Sequence, residues 1–448
     1  MMTLPHSAVR TGFLGMYLTL LVLLSLAGPA ALAQAIPAAE AAPISTGFSL
    51  PTTLGTVQYA VSASESLTWG YYSNSGVYAA TNLSGDLAYL SNSKQHPFSL
   101  VLSGGRSWSE SGQASYNFVN LGFSQVANVG KWNFVISDSV NYLPGTPTAG
   151  LSGVTGVGDL GVNPIEVGGD TGQGVLTNFS NRVGNIVSGS LSRQLTGKTT
   201  LTASGSYSTL YFLDASTTSG TTSSAGLDNS AETGGASLNR QLDARTTFGG
   251  NYSYSNFTYP GNSFGVATPG FVSQTASASF SRKMTRKLSI SAAAGPQWTT
   301  VIEAGSATAI SLFASASATY SGKSAVASTS FTRSTNSGFG SIGGAISNSI
   351  YARVSRPFAV VWAVAASSSF TQTSALPLIN VAPYSLKTYV EGVQVSRALI
   401  RSVSAYASYN LNDQSVSQVS AVDLFSGLSQ SVSFGITYSP SSLHLGHQ

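Results

Sequence analysis

Residues 184–211 have the sequence Gly-Asn-Ile-Val-Ser-Gly-Ser-Leu-Ser-Arg-Gln-Leu-Thr-Gly-Lys-Thr-Thr-Leu-Thr-Ala-Ser-Gly-Ser-Tyr-Ser-Thr-Leu-Tyr. On both sides of the polar turn Thr196-Gly197-Lys198, apolar or small residues alternate with hydroxyl residues. A period of two places the two sets on opposite faces of a β-strand. We therefore predict a two-stranded hairpin with one apolar face and one hydroxyl face, a unit that recurs through most of the chain.

The composition indicates what surrounds these hairpins. Charged residues make up 8% of the 448 residues, against about 25% in soluble globular proteins. The hydrophobic fraction is 42%, with 47 Gly, 20 Tyr and 20 Phe, and much of the remainder is Ser, Thr and Asn. This balance suits a membrane barrel with lipid outside and hydroxyls inside. A secreted β-solenoid or fibre rich in small residues is the alternative fold.

Cysteine content and charge exclude several classes of function. The chain has no Cys, which excludes disulfides and thiol chemistry. Its net charge of +4 is spread over a long chain without a basic run, so we expect no nucleic-acid partner.

The N-terminal residues predict export. Residues 1–33 resemble a secretory signal peptide, with Arg10 before an apolar segment at 13–26 and a cleavage site at Ala31-Leu32-Ala33. An uncleaved membrane anchor is the alternative. Residues 34–55 are rich in Ala and Pro, and we interpret them as a disordered mature N-terminus. We therefore predict export across the inner membrane, followed by residence in the bacterial outer membrane.

Residues 56–439 predict one all-β domain, followed by a C-terminal tail at 440–448. The segment contains 18 candidate strands, each long enough to meet the ~9–11 residues that a tilted strand needs to cross a bilayer. Short turns alternate with longer segments rich in Gly and Ser, as in outer-membrane barrels, whereas a solenoid would repeat one short period. The predicted fold is a transmembrane antiparallel up-and-down β-barrel of 16–18 strands, with its short turns and both termini in the periplasm.

The longest connection, about 144–183, is rich in glycine. Connections of this length are often functional or disordered. If it folds into the lumen, Asp159, Glu166 and Asp170 would be candidate constriction acids. An external loop is the equal alternative.

Five arginines recur at the ends of strands, just before short turns. In each case the residue two positions earlier is apolar, so the arginine shares the outward face. We interpret them as periplasmic-edge side chains that extend to lipid headgroups or water, in preference to ligand-binding residues. They are Arg193, Arg240, Arg282, Arg356 and Arg397.

Aromatic residues cluster near the predicted strand ends. Tyr207, Tyr252 and Tyr438 share the apolar parity, which favours interfacial girdles over a sugar-stacking track in the lumen. Tyr406 shares the Ser404 and Ser408 face, so it is a candidate lumen residue.

The residues needed for catalysis are scarce. The four histidines include only His96 within the barrel segment, and no Ser-His-Asp set, metal-binding spacing or phosphate loop is evident. His444 and His447 lie in the C-terminal tail and are more simply incidental than metal ligands. We therefore predict no enzyme activity and no cofactor.

The last strand has the pattern of a closing β-signal. Phe434, Ile436 and Tyr438 alternate with Gly435 and Thr437. Such strands are presented to the barrel-insertion machinery, so this machinery and outer-membrane lipid are the expected partners. Unlike many such chains, this one continues through Pro440 to Gln448.

Two hairpins carry a resemblance to a known family. Residues 191–201 (Leu-Ser-Arg-Gln-Leu-Thr-Gly-Lys-Thr-Thr-Leu) and 238–248 (Leu-Asn-Arg-Gln-Leu-Asp-Ala-Arg-Thr-Thr-Phe) resemble hairpins of outer-membrane β-barrel porins found with exopolysaccharide-secretion genes of Gram-negative bacteria. The resemblance covers about 184–439 through a short motif. It implies an outer-membrane pore with polysaccharide as a candidate cargo, and no binding residue carries over.

These observations support two functional hypotheses. The first is a porin-like channel for passive passage or export of hydrophilic solutes, with weak ion selectivity because the lumen carries little charge. The second is a closed structural or adhesion barrel that displays its surface loops. Nothing in the sequence indicates an oligomeric state.

Overall fold

The computed structural model describes residues 55–70, 76–91, 93, 96–109, 115–143, 181–213, 228–260, 269–302, 308–322, 325–338, 343–376, 385–417, 426–440 and 443–445. The predicted signal peptide, residues 34–54 of the predicted N-terminal segment and the candidate acids Asp159, Glu166 and Asp170 lie outside these residues.

Eighteen long strands, each paired antiparallel with its sequence neighbours, form one continuous sheet within the described residues. The sheet closes because β1 also pairs with β18. The predicted all-β, up-and-down barrel is confirmed, with the strand number at the upper bound of 16–18. The strands are β1 Gly55–Trp69, β2 Tyr78–Ser91, β3 Phe98–Ser109, β4 Tyr116–Val129, β5 Trp132–Leu143, β6 Arg182–Thr196, β7 Thr199–Phe212, β8 Asn229–Gln241, β9 Thr246–Thr258, β10 Phe271–Lys283, β11 Leu288–Val301, β12 Thr308–Ser321, β13 Val326–Asn336, β14 Ala345–Pro357, β15 Trp362–Ala375, β16 Ser385–Ile400, β17 Val403–Val416 and β18 Gly427–Tyr438.

We call the β1–β18 pairing that closes the barrel the seam, and it continues beyond β18. Its register runs from Trp69 opposite Gln430 to Val61 opposite Tyr438. The short strand β19, Leu443–Leu445, then pairs with Val57–Gly55 after a shift of one residue. Pro440 lies in the interruption, where a residue without an N–H cannot donate to the ladder. Part of the predicted tail therefore continues the barrel wall.

The two ends of the barrel differ in the length of their connections. At one end every connection has between two and six residues, as between Val129 and Trp132 or between Ile400 and Val403. At the other end every connection has six residues or more, and the one between β5 and β6 covers 144–181. We call these the short-turn end and the long-loop end. β1 begins and β18 ends at the short-turn end, which matches the predicted alternation.

In three short turns a side-chain oxygen accepts hydrogen bonds from backbone N–H groups of the same turn. The Thr196 hydroxyl accepts a hydrogen bond from the Lys198 N–H at 3.3 Å, and Thr285 does the same for Lys287 at 3.1 Å. In the third turn the Asp243 carboxylate accepts the N–H groups of Arg245 and Thr246 at 2.6 and 2.9 Å. The Arg245 N–H, the largest cause, holds the pKa of Asp243 below its ordinary value. Side-chain acceptors of this kind stabilise tight turns.

The two faces of the wall follow the period of the sequence. Hydroxyl residues such as Ser62, Ser84 and Ser103 lie on the concave side, where converging side chains cover one another, and all three are buried. Large apolar residues diverge on the convex side, where Val61 is 46% exposed and Ile136 is 57% exposed. This outer apolar surface is the part of the fold that requires a lipid environment.

Carboxylates on the outer surface are the main departure from the predicted apolar face. Glu65, Asp138 and Glu391 have outward parity in β1, β5 and β16. Glu65 accepts from the Thr81 hydroxyl at 2.7 Å, and Asp138 accepts from the Asn185 amide at 2.8 Å. Glu391 accepts from the Tyr389 hydroxyl. These neutral donors reduce the cost of a polar group on a lipid-facing wall.

The closing strand is shaped by a glycine. Phe434, Ile436 and Tyr438 face outward and are 58%, 53% and 44% exposed. Gly435 faces the lumen opposite Tyr406, whose ring lies against it and is buried. A Cβ on Gly435 would meet the Tyr406 ring and would lie 2.7 Å from the Ala63 carbonyl oxygen of β1.

Gly435→Ala is therefore expected to strain the seam between β17, β18 and β1. Overpacking of this kind costs about 1–3 kcal/mol, which urea unfolding of the inserted protein would measure. The matched control is Gly85→Ala, because a Cβ there would meet only the Ala60 carbonyl oxygen at 3.6 Å. Equal stability of the two variants would contradict the close packing at Gly435.

Candidate functional site

The inner wall of the barrel is lined with rows of paired hydroxyl groups. Directly opposed residues share a face, so hydroxyls on neighbouring strands meet. Ser137 and Ser188 oxygens are 2.6 Å apart, Ser62 and Ser84 oxygens 2.7 Å, and Ser347 and Thr373 oxygens 2.9 Å. Half-buried members of these rows such as Ser188 retain hydrogen-bonding capacity for water or a solute, whereas the other five hydroxyls are buried. The wall can therefore solvate polar molecules without carrying charge.

A shallow depression of about 230 Å³ lies in this wall. Its lining combines lumen-facing Ser, Thr and Val side chains with two glycines, which leave the backbone accessible. Such a surface can hydrogen-bond many polar molecules and offers no geometry that selects one. It is lined by Val135, Ser188, Gly189, Ser190, Ser204, Gly205, Ser206 and Thr233.

Few charged side chains face the lumen. Within the described strands they are Asp86, Arg182, Lys283 and Arg353, by their register against lumen-facing neighbours. Asp86 is 6% exposed and lies opposite Ser103. Lys283 and Arg353 are exposed and lie towards the short-turn end. The lumen-facing part of the described strands is thus mostly neutral, with three cations and one carboxylate.

An apolar cluster covers one arc of the inner wall at the long-loop end. Phe271 is completely buried, and its ring stacks on Phe257 with centroids 4.5 Å apart. Tyr259, Val301 and Leu376 complete its buried members. These residues lie at or just beyond the ends of β9, β10, β11 and β15. We call this group the mouth cluster.

Backbone contacts hold the mouth cluster across several strands. The Tyr259 hydroxyl, after β9, donates to the Ser337 carbonyl oxygen, after β13, at 2.9 Å. Gly344 has a φ of 95°, and a Cβ there would lie 2.6 Å from the Phe271 ring. Burial raises the pKa of Tyr259 above its ordinary value. The chain segments at this arc therefore form a fixed inner rim.

The five arginines singled out from the sequence all lie on the outer surface at the short-turn end. They belong to different strands around the barrel and do not form a single site. The Arg193 guanidinium lies 4.8 Å from the Trp132 ring centroid, and that of Arg397 lies 5.2 Å from the Trp362 centroid. Arg240, Arg282 and Arg356 have the same outward parity. Their role as membrane-edge residues stays a prediction.

The aromatic residues named from the sequence also face outward. Tyr207, Tyr252 and Tyr438 are 45%, 47% and 44% exposed on the convex side. Tyr406 faces the lumen as its parity predicts, but it is buried against Gly435. The alternative of a sugar-stacking track is therefore not supported by these residues.

Sequence reasoning missed the mouth cluster and the lumen-facing cations. Phe271 shares parity with Ser273 and Thr275, so its inward direction was available from the sequence. Its contact with Leu376 depends on chain reversals that local periodicity does not specify. Lys283 and Arg353 have the opposite parity to the outward residues Arg282 and Arg356, so their inward direction was also available from the sequence, and the register agrees with it.

The described residues contain no group of three His, Cys, Asp or Glu side chains suited to a metal ion. They also contain no helix long and apolar enough to span a membrane.

Comparisons with known proteins return likenesses in structure alone. No protein-family model matches the chain, and no curated protein matches it. OpdQ of Pseudomonas aeruginosa has a TM-score of 0.41 at 11% identity, covering 86% of this chain and 98% of OpdQ. OccK2 of the same organism, in complex with glucuronate, has a TM-score of 0.41 at 10% identity, covering 87% and 98%. OccAB3 of Acinetobacter baumannii has a TM-score of 0.40 at 10% identity, covering 86% and 99%. Similarity at this level carries no argument about the solute, and the strand pairing itself establishes the barrel.

Proposed function

We propose that the protein is a porin-like channel of the Gram-negative outer membrane for the passage of small hydrophilic solutes. One observation carries the proposal: 18 strands close into a ring with hydroxyls on the inner face and large apolar residues on the outer face. Barrels of 16–18 strands are wide enough to leave an aqueous channel. A closed structural barrel would have no need of a wall so rich in hydrogen-bonding side chains.

The proposed location follows from two features. An export signal at 1–33 would deliver the chain to the periplasm. A closed barrel with an apolar exterior then fits a bilayer reached from that compartment. With the short turns facing the periplasm, the long-loop end and its mouth cluster face outward from the cell.

Small solutes fit the described lumen better than polysaccharide. An extended sugar chain would favour a row of accessible aromatic rings along its path. Tyr207, Tyr252 and Tyr438 face outward and Tyr406 is buried, although Tyr351 of β14 is exposed on the lumen face. The neutral hydroxyl wall instead favours water-filled passage with weak ion selectivity. Polysaccharide export rests on the hairpin resemblance alone.

Planar-bilayer recording of the refolded mature protein tests the proposal. We expect stable single-channel conductance steps and a reversal potential close to zero in a salt gradient. Swelling of liposomes in small neutral sugars gives an independent measure of solute passage. Heat-modifiable gel mobility would establish that the barrel is folded. A folded barrel that neither conducts nor passes sugars would contradict the proposed function and favour the structural alternative.

A further inference from the structure

Positive charge is concentrated at the short-turn end of the described barrel. Thirteen Lys and Arg residues lie in the turns or the nearby strand ends, against the single carboxylate of Asp243. Lys283 and Arg353 of this set face the lumen, and the others lie in the turns or on the outer surface. The set is Lys131, Arg193, Lys198, Arg240, Arg245, Arg282, Lys283, Arg286, Lys287, Arg353, Arg356, Arg397 and Arg401.

Among the described residues, the carboxylate that interacts with this set is Asp243, through the charge of Arg282. The recorded side-chain partners of Arg193 and Arg397 are the faces of Trp132 and Trp362. The Arg356 Nε atom is buried and makes no hydrogen bond. A ring of like charges on one rim is self-repelling unless anions neutralise it.

The arrangement of the arginine–tryptophan pairs indicates where such anions lie. Both pairs are cross-strand neighbours on the lipid-facing side, and both are at the end of the wall. Tryptophan on a barrel exterior favours the headgroup level of a bilayer. A guanidinium that rests on an indole keeps its N–H edge available for bidentate bonds to phosphate.

We propose that this arginine rim, defined by Arg193, Arg240, Arg282, Arg356 and Arg397, binds the headgroups of anionic phospholipids in the leaflet at the short-turn end. Charge complementarity and the position of the rim identify the occupant, because headgroup phosphates are the anions that surround a barrel at this level. The proposal goes beyond channel activity and requires only that the barrel is inserted in a bilayer.

The opposite end provides a matched contrast within the same chain. Arg333 also faces outward, near the long-loop end of β13. Its Nη1 atom donates to Asn348 Oδ1 at 2.7 Å and its Nε atom donates to the Leu312 carbonyl oxygen at 3.2 Å. Because protein acceptors already use these donors, we expect a weaker preference for anionic lipid at Arg333. Arg106 is the exception at this end, since its guanidinium lies 5.5 Å from the Trp108 ring centroid, so the comparison between the two ends must leave Trp108 out.

Quenching of tryptophan fluorescence by brominated lipids can read each end separately. One reporter retains Trp132 and Trp362, with Trp69, Trp108 and Trp298 changed to Phe. The second reporter retains Trp69 and Trp298, with Trp108, Trp132 and Trp362 changed to Phe, because Trp108 itself lies beside Arg106. Each is inserted into phosphatidylcholine vesicles containing either brominated phosphatidylglycerol or brominated phosphatidylcholine. A single basic contact contributes about fivefold preference for anionic lipid. The measured ratio is quenching by brominated phosphatidylglycerol divided by quenching by brominated phosphatidylcholine at equal mole fraction. We therefore expect this ratio to be near five at the short-turn end and near one at the other end, and to decline in about 1 M salt.

Substitutions then assign the preference to the rim. The double variant Arg193→Gln with Arg397→Gln should bring the ratio close to one, whereas Arg193→Lys with Arg397→Lys should retain most of it. Arg106→Gln with Arg333→Gln is the control at the long-loop end and should leave the ratio unchanged.

Equal ratios in the two reporters, or an unchanged ratio in the Gln variant, would overturn the proposal. If the Gln variant fails to insert, the comparison between the two reporters still decides the outcome. Conductance can fail without affecting this result, so the two proposals are tested separately.

Discussion

Leu191→Arg is expected to destabilise the inserted barrel by about 2–4 kcal/mol, the cost of a basic side chain at the middle of a barrel's lipid-facing surface. Leu191 faces outward between Phe134 and Ala203, so the new charge would find no polar partner on the neighbouring strands. It lies five residues from the end of β6 at Thr196. At ~3.3 Å per residue and a tilt of ~40°, this is about 12 Å along the barrel axis, close to the middle of the apolar band.

The substitution Ser190→Arg, at the neighbouring residue, is the control. Ser190 faces the lumen opposite Ser204 and lines the shallow depression, so an arginine there can remain in water. Urea titration of each variant in vesicles, followed by tryptophan fluorescence, gives the free energies of unfolding. A loss confined to Leu191→Arg supports the assignment of faces. Equal losses of unfolding free energy at the two positions would mean that the hydroxyl face does not line a water-filled lumen.

The barrel could be predicted from the sequence because the alternation of apolar and polar residues is a local pattern. Alternation in β6 and β7 assigns Val187 to one face and Ser188 to the other without knowledge of any distant residue, and the pairing bears this out. The turn at Thr196-Gly197-Lys198 is equally local, since Thr196 bonds within the turn. The number of strands followed because each hairpin repeats the same pattern.

The parts that sequence missed depend on register and on distant contacts. Asp138 has outward parity, but its amide partner Asn185 is on another strand, across the longest connection. The pairing of Leu443–Leu445 with β1 joins the two ends of the chain. The mouth cluster combines residues near four strand ends, and no period of two predicts which of them meet.

For the candidate site residues, the sequence predicts their positions but not their contacts. The five arginines share a strand-end position that the sequence shows directly, and the structure places them on one rim. What the sequence does not show is the tryptophan under Arg193 or Arg397, because that contact requires the register of β5 against β6 and of β15 against β16.

Phe271→Ala is expected to cost about 3–5 kcal/mol of stability, the range found when a buried aromatic side chain is removed from a core. Phe271 is fully buried, stacks on Phe257, and supports Gly344, whose φ of 95° leaves little freedom to collapse into the cavity. Because the cluster forms the inner rim of the long-loop mouth, the same change should raise single-channel conductance or its noise.

The control for this change is Phe248→Ala on the outer surface. Phe248 is 50% exposed, so its removal leaves no enclosed cavity and should cost less than half as much. Urea unfolding in vesicles measures the first effect and planar-bilayer recording the second. A large loss of stability with unchanged conductance would make the mouth cluster a structural brace only. An increase in conductance would identify it as part of the solute pathway, and near-wild-type stability would contradict the packing itself.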